Sequence, residues 1–345
     1  MIFTKIFKFY ILMVFRSEFT PKPFSAKIKH TDKLLLIGSC FTEQIGKKLA
    51  AHKFDVLENP NGILFNPISI SKAINSYVKG KIYTEDDLFY NNELWASSEH
   101  HTRFSDIDKT STLKKVNDEQ KAAIHFIKTA DWILITLGSA FLYEWKNKDD
   151  EGEYKNVTAN CHKIPTDKFN RRIADTIEII QVLETMQETV YSINPLAKFI
   201  YTISPVRHLR EGFIENNRSK AALIQAVHKL TDDKNVFYFP AYELIIDDLR
   251  DYRFFAEDLV HPNYAATNYV WEKFVPAVIN DSAQELMKEI NELNAAKNHK
   301  PFNENSSAHL SFKLKYLEKA TALKGKYAHL IMEEEIIYFT KKPLL

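Results

Sequence analysis

Leu34-Leu-Leu-Ile-Gly-Ser-Cys-Phe41 is a run of four aliphatic residues stopped by a glycine, then two small nucleophilic side chains and an aromatic ring. An apolar run this short, without polar alternation, fits a strand buried on both faces, as in parallel sheets. Phe41, Ile45 and Leu49 follow at four-residue spacing, which predicts a helix over 42–52 with one apolar face. The strand-to-helix step recurs along the chain. Asp55-Val-Leu57 reads as a second strand, closed by the Asn59-Pro-Asn-Gly62 turn and followed by a helix over 67–79. A helix near 118–130 precedes the strand Trp132–Leu137, which again ends at a glycine, Gly138. Ile173, Ile177, Ile180, Leu183, Met186 and Val190 predict a long helix over 168–193, before the strand Phe199–Ile203. A helix over 217–231, a strand Val236–Phe239 and helices over 241–250 and 263–279 continue the alternation. Residues 80–117 read as irregular, with a hairpin around Phe89 to Trp95, and 139–166 as a polar, turn-rich insertion.

Strands interleaved with helices predict a three-layer α/β/α sandwich around a mostly parallel five-stranded sheet. Ligands of such sheets sit beyond the carboxyl ends of the strands. Ser39, Gly138 and Ser204 all fall just past a predicted strand end. The expected organisation is an extension over 1–14, the sandwich over 15–280 and a helical appendage over 281–345, with Asn303–Ser307 as a linker.

Composition bounds the partners. The 345 residues are 45% hydrophobic and 26% charged, enough for a large core. The 46 basic and 45 acidic side chains give a formal charge of +1, so no electrostatic reason favours nucleic acid or an anionic membrane surface. The two cysteines, Cys40 and Cys161, form neither a disulfide framework nor a C-x-x-C zinc pair. No two histidines show H-x-x-x-H spacing, and no metal or cofactor is expected. At the N-terminus the apolar run Phe9–Phe15 is interrupted upstream by Lys8 and lacks an A-x-A site. It is also far below the ~20 residues that span a bilayer. The expectation is a peripheral extension, with Met13 as an alternative start, and a cytoplasmic protein.

The chemistry concentrates at two places. Ser39 at a strand-to-helix junction lies where helix amides favour developing negative charge; its bland role is a helix N-cap. Asp258-Leu-Val-His261 places a carboxylate and an imidazole three residues apart just before a helix. A serine nucleophile needs a base, and the base needs a group that fixes its tautomer; the bland role is a locally capped turn. Beside Ser39, Cys40 points another way and reads as a small buried filler. Three further segments carry polar candidates. The pair His100-His101 is either surface or site, and Asn160-Cys161-His162 lines a pocket or orders its own loop. Arg207 and His208 either grip a substrate carboxylate or hydroxyl, or pair with Glu211 or Glu215.

Taken in order, Gly38-Ser39-Cys40-Phe41, Asn59-Pro-Asn-Gly-Ile-Leu-Phe-Asn-Pro67 and Thr136-Leu-Gly-Ser139 resemble the GSCFA family, placed within the SGNH/GDSL hydrolases. So do Asn160-Cys-His-Lys-Ile-Pro165, Ser204-Pro-Val-Arg-His208, Glu215-Asn-Asn-Arg-Ser-Lys220, Asp258–His261 and His299-Lys-Pro-Phe302. The resemblance spans 15–302; Thr42 replaces the alanine of the name-giving motif. It implies a Ser39–His261–Asp258 triad in an ester hydrolase or O-acyltransferase, acting on a small-molecule or carbohydrate ester. It also implies an oxyanion hole from the amides of Ser39 and Gly62 plus an asparagine. Gly138-Ser139-Ala140 holds no asparagine where one is implied, so the third donor falls to Ser139, a backbone amide or Asn66. His101, Asn160, Arg207 and His208 are the remaining candidate substrate contacts. The competing class is a binding module that keeps the fold without the full oxyanion hole.

Overall fold

The computed structural model describes residues 16–146 and 157–340. The N-terminal extension expected over 1–14 lies outside them. Among the described residues, strands occupy Lys33–Gly38 (β1), Asp55–Glu58 (β2), Leu88–Asn91 (β3), Leu94–Ser97 (β4), Trp132–Leu137 (β5), Phe141–Trp145 (β6), Phe169–Ile173 (β7), Lys198–Ile203 (β8) and Val236–Tyr238 (β9). Five of these form one parallel sheet, ordered β2-β1-β5-β8-β9. Leu34 pairs with Trp132, and Trp132 with Lys198, so the three central strands end nearly level.

Helices cover both faces because every central strand is apolar on both sides. Leu35, Ile37, Ile133, Ile135, Phe199 and Tyr201 face one layer, α2 (Pro67–Val78), α3 (Lys109–Ile127), α4 (Thr176–Tyr191) and α5 (Phe213–Leu230). Leu34, Leu36, Trp132, Leu134, Ile200 and Phe237 face the other, formed by α1 (Cys40–Ala51), α6 (Ala241–Glu243, continued as a π turn over Leu244–Leu249) and α7 (Tyr264–Val278). The expected α/β/α sandwich with a five-stranded parallel sheet is the observed fold. Helix α8 (Asp281–Asn298) bridges outward: Ala283 and Met287 join the second layer. Leu286, Ile290 and Leu293 build a separate small core with α9 (Ser307–Lys326) and α10 (Glu333–Thr340). Lys53 Nζ meets the buried Glu335 carboxylate at 2.9 Å, and His30 meets His329 at 3.0 Å, tying this helical end to the sandwich.

Several elements depart from the sequence reading. Residues 169–175 are not helical: Phe169–Ile173 pairs antiparallel with Phe141–Trp145, inside the segment read as an insertion. Phe169, Arg171 and Ile173 alternate at strand period, and the apolar 3.6-residue spacing beyond them masked it. The helix starts where Asp175 caps it, accepting from the Glu178 amide at 2.9 Å. Helix α3 begins at Lys109 rather than near 118, capped by Asp108. The hairpin expected near Phe89 is β3–β4.

Strand β1 connects to β2 on one side, and the chain then crosses back to β5 on the other. That reversal is the topological switch point, where a crevice opens at the carboxyl ends. Gly38 closes it from below. Its φ is +145°, and a Cβ there would stand 2.2 Å from the Thr136 carbonyl oxygen. Gly38→Ala is expected to destabilise by at least about 3 kcal/mol, read as a shift of the urea midpoint; a loss below 1 kcal/mol would contradict this account.

Candidate active site

At the end of β1 the two small side chains take different roles. Ser39 donates its N–H to Thr136 O at 3.1 Å, and its Oγ accepts from the Phe41 amide at 3.3 Å as the N-cap of α1. Its exposure is 0%. Cys40 opens the helix and is partly exposed. Burial pushes its thiol up and Glu43 adds to this, while Lys220 and the amides of Cys40 and Phe41 pull it back.

Asp258 and His261 form a built pair. Asp258 Oδ1 accepts from the amides of Val260 and His261 at 2.9 and 3.0 Å, and Oδ2 meets His261 Nδ1 at 2.7 Å. These bonds hold the carboxyl down at about 2. A carboxylate only accepts, so Nδ1 carries the proton and Nε2 is left with its lone pair, the tautomer a general base needs. Leu259, between them, has φ +57°, a left-handed conformation that costs a branched side chain energy. The loop is anchored to the sheet edge where Arg207 N donates to Val260 O at 3.2 Å. Helices α1 and α7 pack in the same layer. Among the described residues no hydrogen bond joins Ser39 to His261.

The donors expected for the oxyanion hole are engaged elsewhere. The Ser39 amide is spent on Thr136, and Gly62 N donates to Asn59 O at 2.7 Å inside its own turn. Gly62 is also covered, since a Cβ there would lie 2.3 Å from His101 Cβ. Gly138 N and Ser139 N both donate to Phe65 O, at 2.8 and 3.0 Å. Ser139 Oγ accepts from Phe141 N at 3.1 Å and faces Ser219 Oγ at 3.3 Å. Asn66 remains. Its Oδ1 caps α2 by accepting from Ser69 N at 2.8 Å, and its Nδ2 has no partner among the described residues.

Asn66 lines a cavity of about 590 Å³ together with Ser139, Phe141, Asn160, His208 and Glu211. The Glu211 carboxylate in its wall is taken by Tyr143 and Arg171. His208 packs edge-on against Phe65, and its Nε2 is buried without a partner. Burial, and then Lys220 and His261, lower it to about 3, so it is neutral.

Other candidates lie apart from the cavity. The Arg207 guanidinium sits 4.9 and 4.5 Å from the ring centres of Tyr252 and Phe255, pairing with neither Glu211 nor Glu215; Glu215 pairs instead with Arg218. His101 caps a short turn by accepting from Arg103 N at 3.3 Å. His100 is a core residue, bonded to Ser97 Oγ at 2.9 Å and to the Asn61 side chain at 3.2 Å.

Lys220, quoted only as part of a family-like segment, is the residue the sequence reading left without a role. Its Nζ donates to Gly138 O at 2.5 Å and Ser204 O at 2.7 Å. Burial pushes it down to about 7. The signal was available: Lys220, Leu223 and Val227 lie at helical spacing on the buried face of α5.

The chain matches the GSCFA family over residues 33–274 and the GSCFA domain protein C-terminal domain over 290–342. It belongs to the GSCFA family. No curated protein matches it. Among solved structures it is similar to a carbohydrate esterase family 3 protein from Talaromyces cellulolyticus, with 10% identity, 76% of this chain and 99% of the other covered, and a TM-score of 0.33. An acetyl esterase mutant holding an acetate ion is 10% identical over 76% of this chain and 100% of its own, at a TM-score of 0.34. An acetyl xylan esterase from the rumen bacterium Butyrivibrio proteoclasticus is 12% identical over 77% and 65%, at 0.31. Likenesses this remote decide nothing about the chemistry of this chain. Among the described residues, no helix is long and apolar enough to cross a membrane.

Burial also predisposes the fold to acid. His100 and His208 are held near 3, and His30, His52 and His162 are lowered by desolvation. The unfolded chain, with histidines near ~6.5, therefore binds more protons below that pH. Stability present above pH ~6.5 is lost progressively as the pH falls toward 3. The urea midpoint is expected to be lower at pH 5 than at pH 7.5; equal midpoints would refute the burial of these imidazoles.

Proposed function

We propose that this protein is an acyl-transfer enzyme, an ester hydrolase or O-acyltransferase, working in the crevice between the ends of β1 and β5. The observation that carries it is the Asp258–His261 pair, a carboxylate fixed by two amides that in turn fixes an imidazole with a free Nε2. The nucleophile belongs to the Ser39–Cys40 junction. A sealed hydroxyl that caps a helix is poorly placed to attack a carbonyl, so the nucleophile in this proposal is Cys40, a residue partly exposed at the same helix start. In this reading His261 Nε2 takes the thiol proton as sulfur bonds to the ester carbonyl carbon. The proton then passes to the departing alcohol, leaving a thioester on Cys40. Water gives the acid and restores the thiol; a second alcohol gives transfer.

Asn66 Nδ2 is the donor proposed for the oxyanion. The cavity beside it, walled by aromatic rings, by the Asn66 and Asn160 side chains and by the paired Glu211 carboxylate, suits the alcohol part of an acylated carbohydrate. One observation favours a second reading. The engaged amides of Ser39, Gly62, Gly138 and Ser139 fit a binding protein that holds such a ligand without turning it over.

Turnover of 4-nitrophenyl acetate and acetylated glucose separates these readings. Cys40→Ala and His261→Ala are each expected to lower kcat/KM at least ~100-fold. Ser39→Ala should keep most activity while losing about 1 kcal/mol of stability with its cap. If Ser39→Ala alone silences the enzyme, and a fluorophosphonate labels Ser39, the nucleophile is the serine. If the wild type turns over neither ester yet binds the sugar, the binding reading holds. Asn66→Asp keeps an oxygen to cap α2 but removes the amide donor. It is expected to cost ~100-fold in kcat with the melting temperature little changed.

A further inference from the structure

The cavity beside Asn66 has its acceptors occupied and its donors open. Its wall carries the Glu211 carboxylate, which is taken by Tyr143 and Arg171 and whose side chain is only 6% exposed. Asn66 Oδ1 accepts from Ser69 N, and Asn160 Oδ1 from His162 N, both at 2.8 Å. The Nδ2 groups of the two asparagines have no partner among the described residues. Lys163 and Arg210 line the same cavity; both are exposed, and neither meets a carboxylate among the described residues. Because Arg171 already offsets Glu211, these two cations are left over.

Backbone turns, not side-chain partners, set both cations at the cavity. His162 and Lys163 are consecutive left-handed residues, at φ +47° and +58°, a conformation that costs non-glycine residues energy. Ile164 N on Cys161 O at 2.8 Å and Asn91 Nδ2 on His162 O at 2.9 Å sustain that turn. His162 Nε2 adds a third bond, donating to Ser97 O at 2.8 Å. Arg210 sits in the short turn Leu209–Glu211, closed by Gly212 N on Leu209 O at 3.0 Å. A cavity that offers donors and surplus positive charge complements a ligand that brings acceptors and negative charge.

We propose that the alcohol half received by this cavity is anionic, a sugar or other polyol whose carboxylate or phosphate is held by Lys163 and Arg210. Arg210 can meet two anionic oxygens at once through its planar fork, whereas Lys163 supplies a point charge. Asn160 Nδ2 donates to a hydroxyl of the same molecule, and Asn66 Nδ2 stays with the ester oxygen. This rests on the reading of the cavity as the alcohol site, but the preference is measurable without any ester.

Isothermal titration calorimetry with methyl glucoside, glucuronate and glucose 6-phosphate reads that preference. At least one of the two anionic sugars is expected to bind the wild type about tenfold tighter than the neutral one. The advantage should shrink between about 20 and about 300 mM salt, as exposed ion pairs do. Lys163→Gln and Arg210→Gln together remove both charges from exposed positions. In that double variant the anionic advantage should fall to within about twofold, with the melting temperature and the affinity for methyl glucoside unchanged. Lys229→Gln removes an exposed cation at the far end of α5 and should leave every affinity as it was. Tighter glucuronate assigns a carboxylate and tighter glucose 6-phosphate a phosphate; either supports the proposal. Equal affinities for the three sugars, no measurable binding of either acid, or an advantage retained in the double variant each overturn it. Anion-selective binding without turnover of any ester would sink the enzymatic reading alone. Turnover of acetylated glucose with no anionic preference would remove Lys163 and Arg210 from the site and leave that reading standing.

Discussion

The approach of β1 to β5 at Gly38 is the constraint on which the site depends. The two strands meet where a Cβ would collide with the Thr136 carbonyl, so only glycine lets the backbones close. That closure brings Ser39 N onto Thr136 O and starts α1 at the sheet edge. The same contact consumes the Ser39 amide and buries its hydroxyl. In that geometry Ser39 Oγ is sealed as the cap of α1, while Cys40 beside it stays partly exposed.

Hydrogen-bond accounting explains much of the remainder. Backbone donors near a buried edge seldom stay idle, and here Phe65 O collects both Gly138 N and Ser139 N while the 59–62 turn closes on itself. A donor that remains for a ligand must come from a side chain whose other atom already has a structural task. Asn66 has that form: its Oδ1 caps α2, and the residue lines the cavity. Burial keeps the His208 imidazole in the cavity wall neutral, and it leaves Lys220, bonded to the Gly138 and Ser204 carbonyls, weakly basic.

The helical end of the chain is held differently. Its own small core is apolar, and the polar contacts Lys53–Glu335 and His30–His329 add to its ties to the sandwich. Helix α8 belongs to both cores, with Ala283 and Met287 turned to one and Leu286 and Ile290 to the other. A helix apolar on two faces cannot be left exposed, so the appendage covers what the sandwich leaves bare.

The sequence alone determined the layered α/β order, because runs such as Leu34–Ile37 and Trp132–Leu137 carry their burial in composition and their ends in glycine. It also determined the Asp258–His261 pair, since three residues before a capped helix are enough to close that contact locally. It could not separate strand from helix at 169–175, where pairing with Phe141–Trp145 outweighs an apolar periodicity that fits either. Nor could it fill Asn66 Nδ2 or leave it free, or bring Lys220 to two strand ends. Those outcomes depend on partners distant in the chain, and which donors find acceptors is decided only when the strands have met.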